Sequence, residues 1–335
     1  MMYKNFCFIF YESNPLNTIN LFTKNMDESK NKSRDILPIF LMGCLFVVIQ
    51  GLALLIVKPF VAAGMQAFED VNDPLNLVYI FAILLTFTVI ILVIAKYWKK
   101  KILHILLLGA IGYTVFFAFF LPILGIILPD LPLWFYLFIS ALATFILLLA
   151  LIKFPEWYVI DICGIMVGAS AITILGISLG VLLVIILLIG LAIYDAISVY
   201  KTKHMIDLAD TVVDLKLPVL LVIPKIRDYS LIKETKSLKE KLKDGEERDA
   251  FFMGLGDVVM PGLLAASAYR FIENGLPIAI SVMIGTLAGF ALLMTFVIKG
   301  KPQAGLPCLG GGAILGYIIS SLYYHGQLVG LNFFF

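Results

Sequence analysis

Charge is scarce in this 335-residue chain and cysteine scarcer: charged residues make up 14% of it and cysteines number 4. Cys7, Cys44, Cys163 and Cys308 are scattered, without CxxC or zinc-like spacing, which argues against a disulfide framework and a metal site. The three histidines, His104, His204 and His325, lie far apart on different elements and read as interfacial or loop residues. No metal, cofactor or nucleic-acid partner is expected. No fixed-period repeat is present. The apolar run Phe6 to Phe10 is too short to span a bilayer and lacks a signal-peptide cleavage pattern.

What fills the chain is apolar. Hydrophobic residues reach 61% and mean hydropathy is +1.02, more apolar surface than a single soluble core hides. Stretches long enough to cross a hydrocarbon core of roughly 30 Å occur at 36–57, 75–95, 102–121, 132–152, 157–176, 179–200, 251–271, 276–298 and 307–328. The reading is an all-α polytopic membrane protein with nine transmembrane helices, its partner the lipid bilayer. The third span could run on through Pro122 to Leu128. Lys and Arg favour cytoplasmic flanks, and all but two of the 25, Lys58 and Arg270, fall on the side that holds the N-terminus. That places the N-terminus in the cytoplasm and the C-terminus outside, and the membrane expected is the cell membrane.

Organisation follows from the same pattern. Residues 1–35 form a cytoplasmic tail, with Met26 an alternative start to Met1. Helices one to six occupy 36–200, a cytoplasmic loop 201–250, and helices seven to nine 251–330, as one integrated membrane domain. Within the loop, 203–216 has the mixed pattern of an amphipathic helix, and 233–249 is a charge run that reads as a solvated linker. Between them Leu217 to Ile223, bounded by Pro218 and Pro224, is a β-branched apolar run too short to cross. It suits a strand or a membrane-dipping segment.

Two aspartates stand inside these apolar helices. A carboxylate at membrane depth costs roughly 2.5 to 3.5 kcal/mol, so each needs a reason to be there. Asp195 lies near the end of its span and Asp257 near the start of the next, counted from Phe251. Because consecutive helices run antiparallel, both carboxyls sit about 8 to 9 Å inside the same face at 1.5 Å per residue. Asp161 is also in an apolar span, but close enough to its cytoplasmic end to read as a structural or interfacial residue.

Two carboxyls sharing a site cannot both ionise comfortably, so such a pair holds one proton near neutrality. One member can then take a proton from water while the other polarises a peptide carbonyl and serves the leaving amine. An intramembrane pair equally suits a proton-coupled transporter or a cation channel. Gly254 and Gly256 loosen the helix start and admit another backbone. Leu306-Pro307-Cys308-Leu309 opens the ninth span at the same depth, where proline fits only a helix start or an irregular segment, and Gly310 to Gly312, Ala313 and Gly316 supply small residues for close helix packing.

Taken together, Tyr194-Asp195, Gly254-Leu255-Gly256-Asp257 and Pro307-Cys308-Leu309 resemble the YD, GxGD and PAL motifs of the presenilin and signal peptide peptidase family of intramembrane aspartyl proteases. Ile193 to Met205 and Asp214 to Pro224 are most similar to archaeal presenilin homologues. The resemblance covers about residues 36 to 330 and departs at Cys308, where the family has alanine. It implies a presenilin-like fold, Asp195 and Asp257 as a catalytic pair, no cofactor, and transmembrane proteins as substrates. Leu306, Pro307, Cys308 and Leu309, with Gly254, Leu255 and Gly256, would shape the site. Tyr194 would pack beside the pair or touch substrate. Leu220, Leu221 and Val222 would hold an extended substrate by strand addition. Whether copies of the chain assemble into a homo-oligomer is left open by the sequence.

Overall fold

The computed structural model describes residues 15–97, 100–128, 130–202, 220–226, 229–230, 250–298 and 303–331. The expected amphipathic segment 203–216 and charge run 233–249 lie outside them. The first seven helices are α1 (Pro15–Ala62), α2 (Leu75–Tyr97), α3 (Lys100–Thr114), α4 (Leu121–Ile127), α5 (Leu133–Lys153), α6 (Trp157–Ser178) and α7 (Val181–Ile197). Strands β1 (Leu220–Pro224) and β2 (Ala250–Gly254) follow, then α8 (Leu255–Phe271), α9 (Leu276–Ile298) and α10 (Gly305–His325).

Among the described residues, seven helices are long and apolar enough to cross a bilayer: Ile36–Ala62, His104–Ile127, Leu133–Lys153, Trp157–Ser178, Val181–Tyr200, Leu276–Ile298 and Gly305–His325. The expected span 75–95 falls on α2, which contributes a shorter apolar stretch, Leu75–Phe87. The expected span 251–271 begins late, because Ala250–Gly254 goes to β2 and α8 keeps 17 residues.

The third span does run on past Pro122, through a π-helical stretch, Val115–Phe120, that joins α3 to α4. Proline supplies no N–H to the carbonyl of residue i−4, here Ala118. The Ser170 hydroxyl of α6 donates to that carbonyl at 3.0 Å. A polar group freed inside the membrane is thereby satisfied by a neighbouring helix.

At the centre stands α6, 61% of whose span is buried against 17% for α5. Its Gly164, Gly168, Ala169, Ser170, Thr173 and Gly176 are small enough to let α1 and α8 approach closely. The continuous core runs from Phe46 and Ile56 on α1 through Ile172 on α6 and Leu263 on α8 to Leu309 and Tyr317 on α10. Leu85, Phe138 and Ile319 point outward, as a lipid-facing surface requires.

The closest seam joins α9 to α10. A Cβ at Gly285 would collide with the Gly312 carbonyl, one at Gly289 with the Cys308 carbonyl, and one at Gly316 with the Ser281 carbonyl. Of the small residues expected on the ninth span, Gly312 and Gly316 serve this seam, whereas a Cβ at Gly311 would meet nothing within 4 Å.

The strands pair antiparallel, Leu220 opposite Gly254, Val222 opposite Phe252 and Pro224 opposite Ala250. The run between the prolines is therefore a strand from Leu220 onward. β1 lies against α6, and β2 leads straight into α8.

Candidate active site

Asp195 sits in the last turn of α7, where the helix passes into a π-helical stretch, Ser198–Thr202. It is 9% exposed. Its Oδ2 accepts the Leu306 N–H at 3.0 Å, and the Gly305 backbone also donates to it. These donors belong to the first turn of α10, whose N–H groups have no partner within their own helix. A carboxyl delivered from α7 supplies the acceptor, and the positive end of the α10 dipole favours it there. Pro307 follows at a first-turn position, where its missing N–H costs nothing.

Asp257 lies in the first turn of α8, half-buried. The expectation counted its depth from a helix start near Phe251; the helix begins at Leu255, because Phe251 to Gly254 extend to pair with β1. The carboxyl faces α10: a Cβ at Gly305 would stand 3.2 Å from Asp257 Oδ2 and 3.3 Å from Cγ. Asp257 and Asp195 are close enough for one charge to act on the other. Both carboxyls thus converge on the Gly305–Leu306 backbone.

Gly305 escaped the sequence reading, although its place directly before Leu306-Pro307 was the available signal. Pro307 and Cys308 are partly exposed beside the pair, and Leu309 is fully buried in the core. Among the described residues, a Cβ at Gly256 would meet nothing within 4 Å, and one at Gly254 would meet the Asp257 side chain, with Oδ2 at 3.4 Å. Leu255 is buried.

Tyr194 is 70% exposed, so it does not pack beside the pair. Neighbouring residues on a helix point about 100° apart, from 3.6 residues per turn. Turning Asp195 inward therefore turns Tyr194 outward.

Of the two roles expected for Asp161, structural or interfacial, the buried contact fits the structural one. It is 6% exposed, and its Oδ1 accepts the Val222 N–H at 2.8 Å. In an antiparallel pair the N–H and C=O of one residue both face its partner strand or both face away. With its N–H on Asp161, Val222 faces away from β2, so Leu221 and Ile223 carry the bonding to Met253 and Phe251. Phe252, opposite Val222, turns its own N–H and C=O away from β1. Leu221 and Val222 are buried and Leu220 is partly buried, and the outer edge of β1 is taken at its centre by Asp161.

Among the described residues no group of three or more His, Cys, Asp or Glu could hold a metal ion. Chemically, the site offers two carboxyls, a turn of backbone donors and an adjoining strand edge.

The profile of the family described as signal-peptide peptidase, presenilin aspartyl protease matches residues 43–325. A presenilin family intramembrane aspartate protease solved in space group C222 is 31% identical, with a TM-score of 0.66, covering 85% of this chain and 99% of that one. A P2 structure of a presenilin family intramembrane aspartate protease is 32% identical, with a TM-score of 0.65, covering 86% and 99%. No curated protein matches the chain.

Proposed function

The chain belongs to the signal-peptide peptidase and presenilin family of aspartyl proteases, and from that premise we propose that Asp195 and Asp257 hydrolyse peptide bonds of transmembrane substrates. The observation that carries the reading is the convergence of both carboxyls on one turn of backbone, Gly305–Leu306. The ionised member takes a proton from water, and the oxygen attacks the peptide carbonyl carbon. The protonated member gives its proton to the carbonyl oxygen. Collapse of the tetrahedral intermediate breaks the C–N bond, with a proton passing to the departing amine. The two members exchange roles within one cycle, so neither is assigned as the sole acid.

A helical substrate has its backbone hydrogen bonds occupied, so it must unwind before cleavage. Strand addition would hold it extended. With the outer edge of β1 taken by Asp161, the edge available to substrate is that of β2 at Phe252, which leads into Gly254-Leu255-Gly256-Asp257 as the GxGD-type segment. Leu220, Leu221 and Val222 then support the substrate strand from behind, Leu306, Pro307 and Cys308 flank it, and Leu309 packs beneath them in the core. Tyr194 would meet substrate only from the lipid side.

For the whole chain the proposal is nine crossings, α2 and α8 joining the seven long apolar helices. The 1–35 and 201–250 segments lie in the cytoplasm, the C-terminus outside, and the cell membrane holds one domain built from 36–200 and 251–330. Incubating purified protein with a generic transmembrane substrate tests the central claim. Wild type should release two fragments and Asp257→Ala none; equal cleavage by the variant would sink the dyad, and a wild type that moves protons or cations without cutting would favour transport.

A further inference from the structure

The first turns of α6 hold the segment after α7 at two points. Asp161 accepts the Val222 N–H, and Glu156, at the N-cap of α6, accepts the Ser230 hydroxyl at 2.6 Å. The more costly of the two is Asp161. Any backbone carbonyl could satisfy a buried strand amide, whereas a buried carboxyl needs compensation of its own. What it secures is the middle of β1. Val222 is paired with Phe252, and β2 passes without a loop into the turn that carries Asp257. A continuous path therefore runs from α6 through the two paired strands to the carboxyl.

We propose that Asp161 is a positioning residue for peptide-bond cleavage: it closes the outer edge of β1, directs substrate to β2, and sets the register in which a substrate strand meets Asp257. The claim rests on the protease reading above. Without Asp161 the hairpin can slide or present a second edge, and a slip of one residue would exchange the faces of a bound strand. Cleavage would then spread over neighbouring bonds.

The test uses the full chain in detergent micelles with a transmembrane substrate, reading product masses and backbone amide exchange over 220–226. In Asp161→Ala, exchange at Val222 should quicken by about tenfold or more, as loss of a charge-assisted bond allows, while the main cut weakens by about tenfold and flanking cuts appear. Asp161→Asn keeps an acceptor oxygen and should retain the wild-type product pattern. Val222→Pro removes the donor of the same bond without touching the ladder to β2, so it should reproduce the spread of products if Asp161→Ala does not fold. An unchanged product pattern in the folded Ala or Pro variant overturns the proposal, as does an Asn variant that spreads its cuts as widely as Ala. Should wild type itself fail to cleave, the protease reading falls; unchanged exchange in Asp161→Ala would then refute the edge-closing role separately.

Discussion

The Leu306 N–H and Asp195 Oδ2 meet at 3.0 Å across 111 positions of sequence. One contact thereby serves two ends: it caps α10 and aims a carboxyl of α7 at the Asp257 side of the site. Asp195→Asn keeps an acceptor oxygen, whereas Asp195→Ala leaves first-turn donors unpaired at a cost of about 1 to 3 kcal/mol. Both variants should lose cleavage by about 100-fold or more. Thermal unfolding in detergent should separate them, with Ala melting below Asn; equal melting would mean the cap contributes nothing.

Gly305 leaves room for Asp257. A methyl at that position would press on the carboxyl at 3.2 Å from Oδ2, and small displacements of a reacting group cost as much as about 100-fold in rate. Gly305→Ala should fold and insert normally while turning over at least about tenfold more slowly. Wild-type kcat in this variant would show that the carboxyl moves aside freely.

Along the α9–α10 seam, Gly289→Ala sets a methyl against the Cys308 carbonyl, where backbone cannot yield cheaply. A loss of about 1 to 3 kcal/mol is expected. Gly311→Ala, with nothing within 4 Å, should be neutral. Comparing the two unfolding temperatures decides whether the seam or the helix propensity of glycine governs stability.

Leu221→Pro removes an N–H that faces β2, opposite Met253, and proline inside a paired strand loses its ladder bond. Cleavage should fall sharply while the amount of folded protein in the membrane changes little. A variant that cuts at the wild-type rate would show that the hairpin is not needed to hold substrate.

Topology rests on the one-sided distribution of Lys and Arg. In a background without native cysteines, Glu240→Cys should react with an impermeant thiol reagent only from the cytoplasm, and Asn332→Cys only from outside. Reaction of both from one side would require an even number of crossings.

The sequence by itself determined the membrane class, and it marked Asp195 and Asp257 as carboxyls within apolar runs and the segment ending at Pro224 as a strand or a membrane-dipping stretch. Each follows from a local quantity: hydropathy over a span, a charged residue inside it, or β-branched residues bounded by proline. The tertiary structure decided what depended on partners distant in sequence. Asp161, structural or interfacial by its position in sequence, accepts the Val222 amide; Gly305, unmarked beyond its place before Leu306-Pro307, is faced by Asp257. Helix α8 starts at Leu255 because the residues before it pair with β1. Tyr194 turns outward because Asp195 turns in. Hydropathy gives a residue its depth, but its angle about the helix axis is set by the neighbours it packs against, and that angle decides which side chains meet.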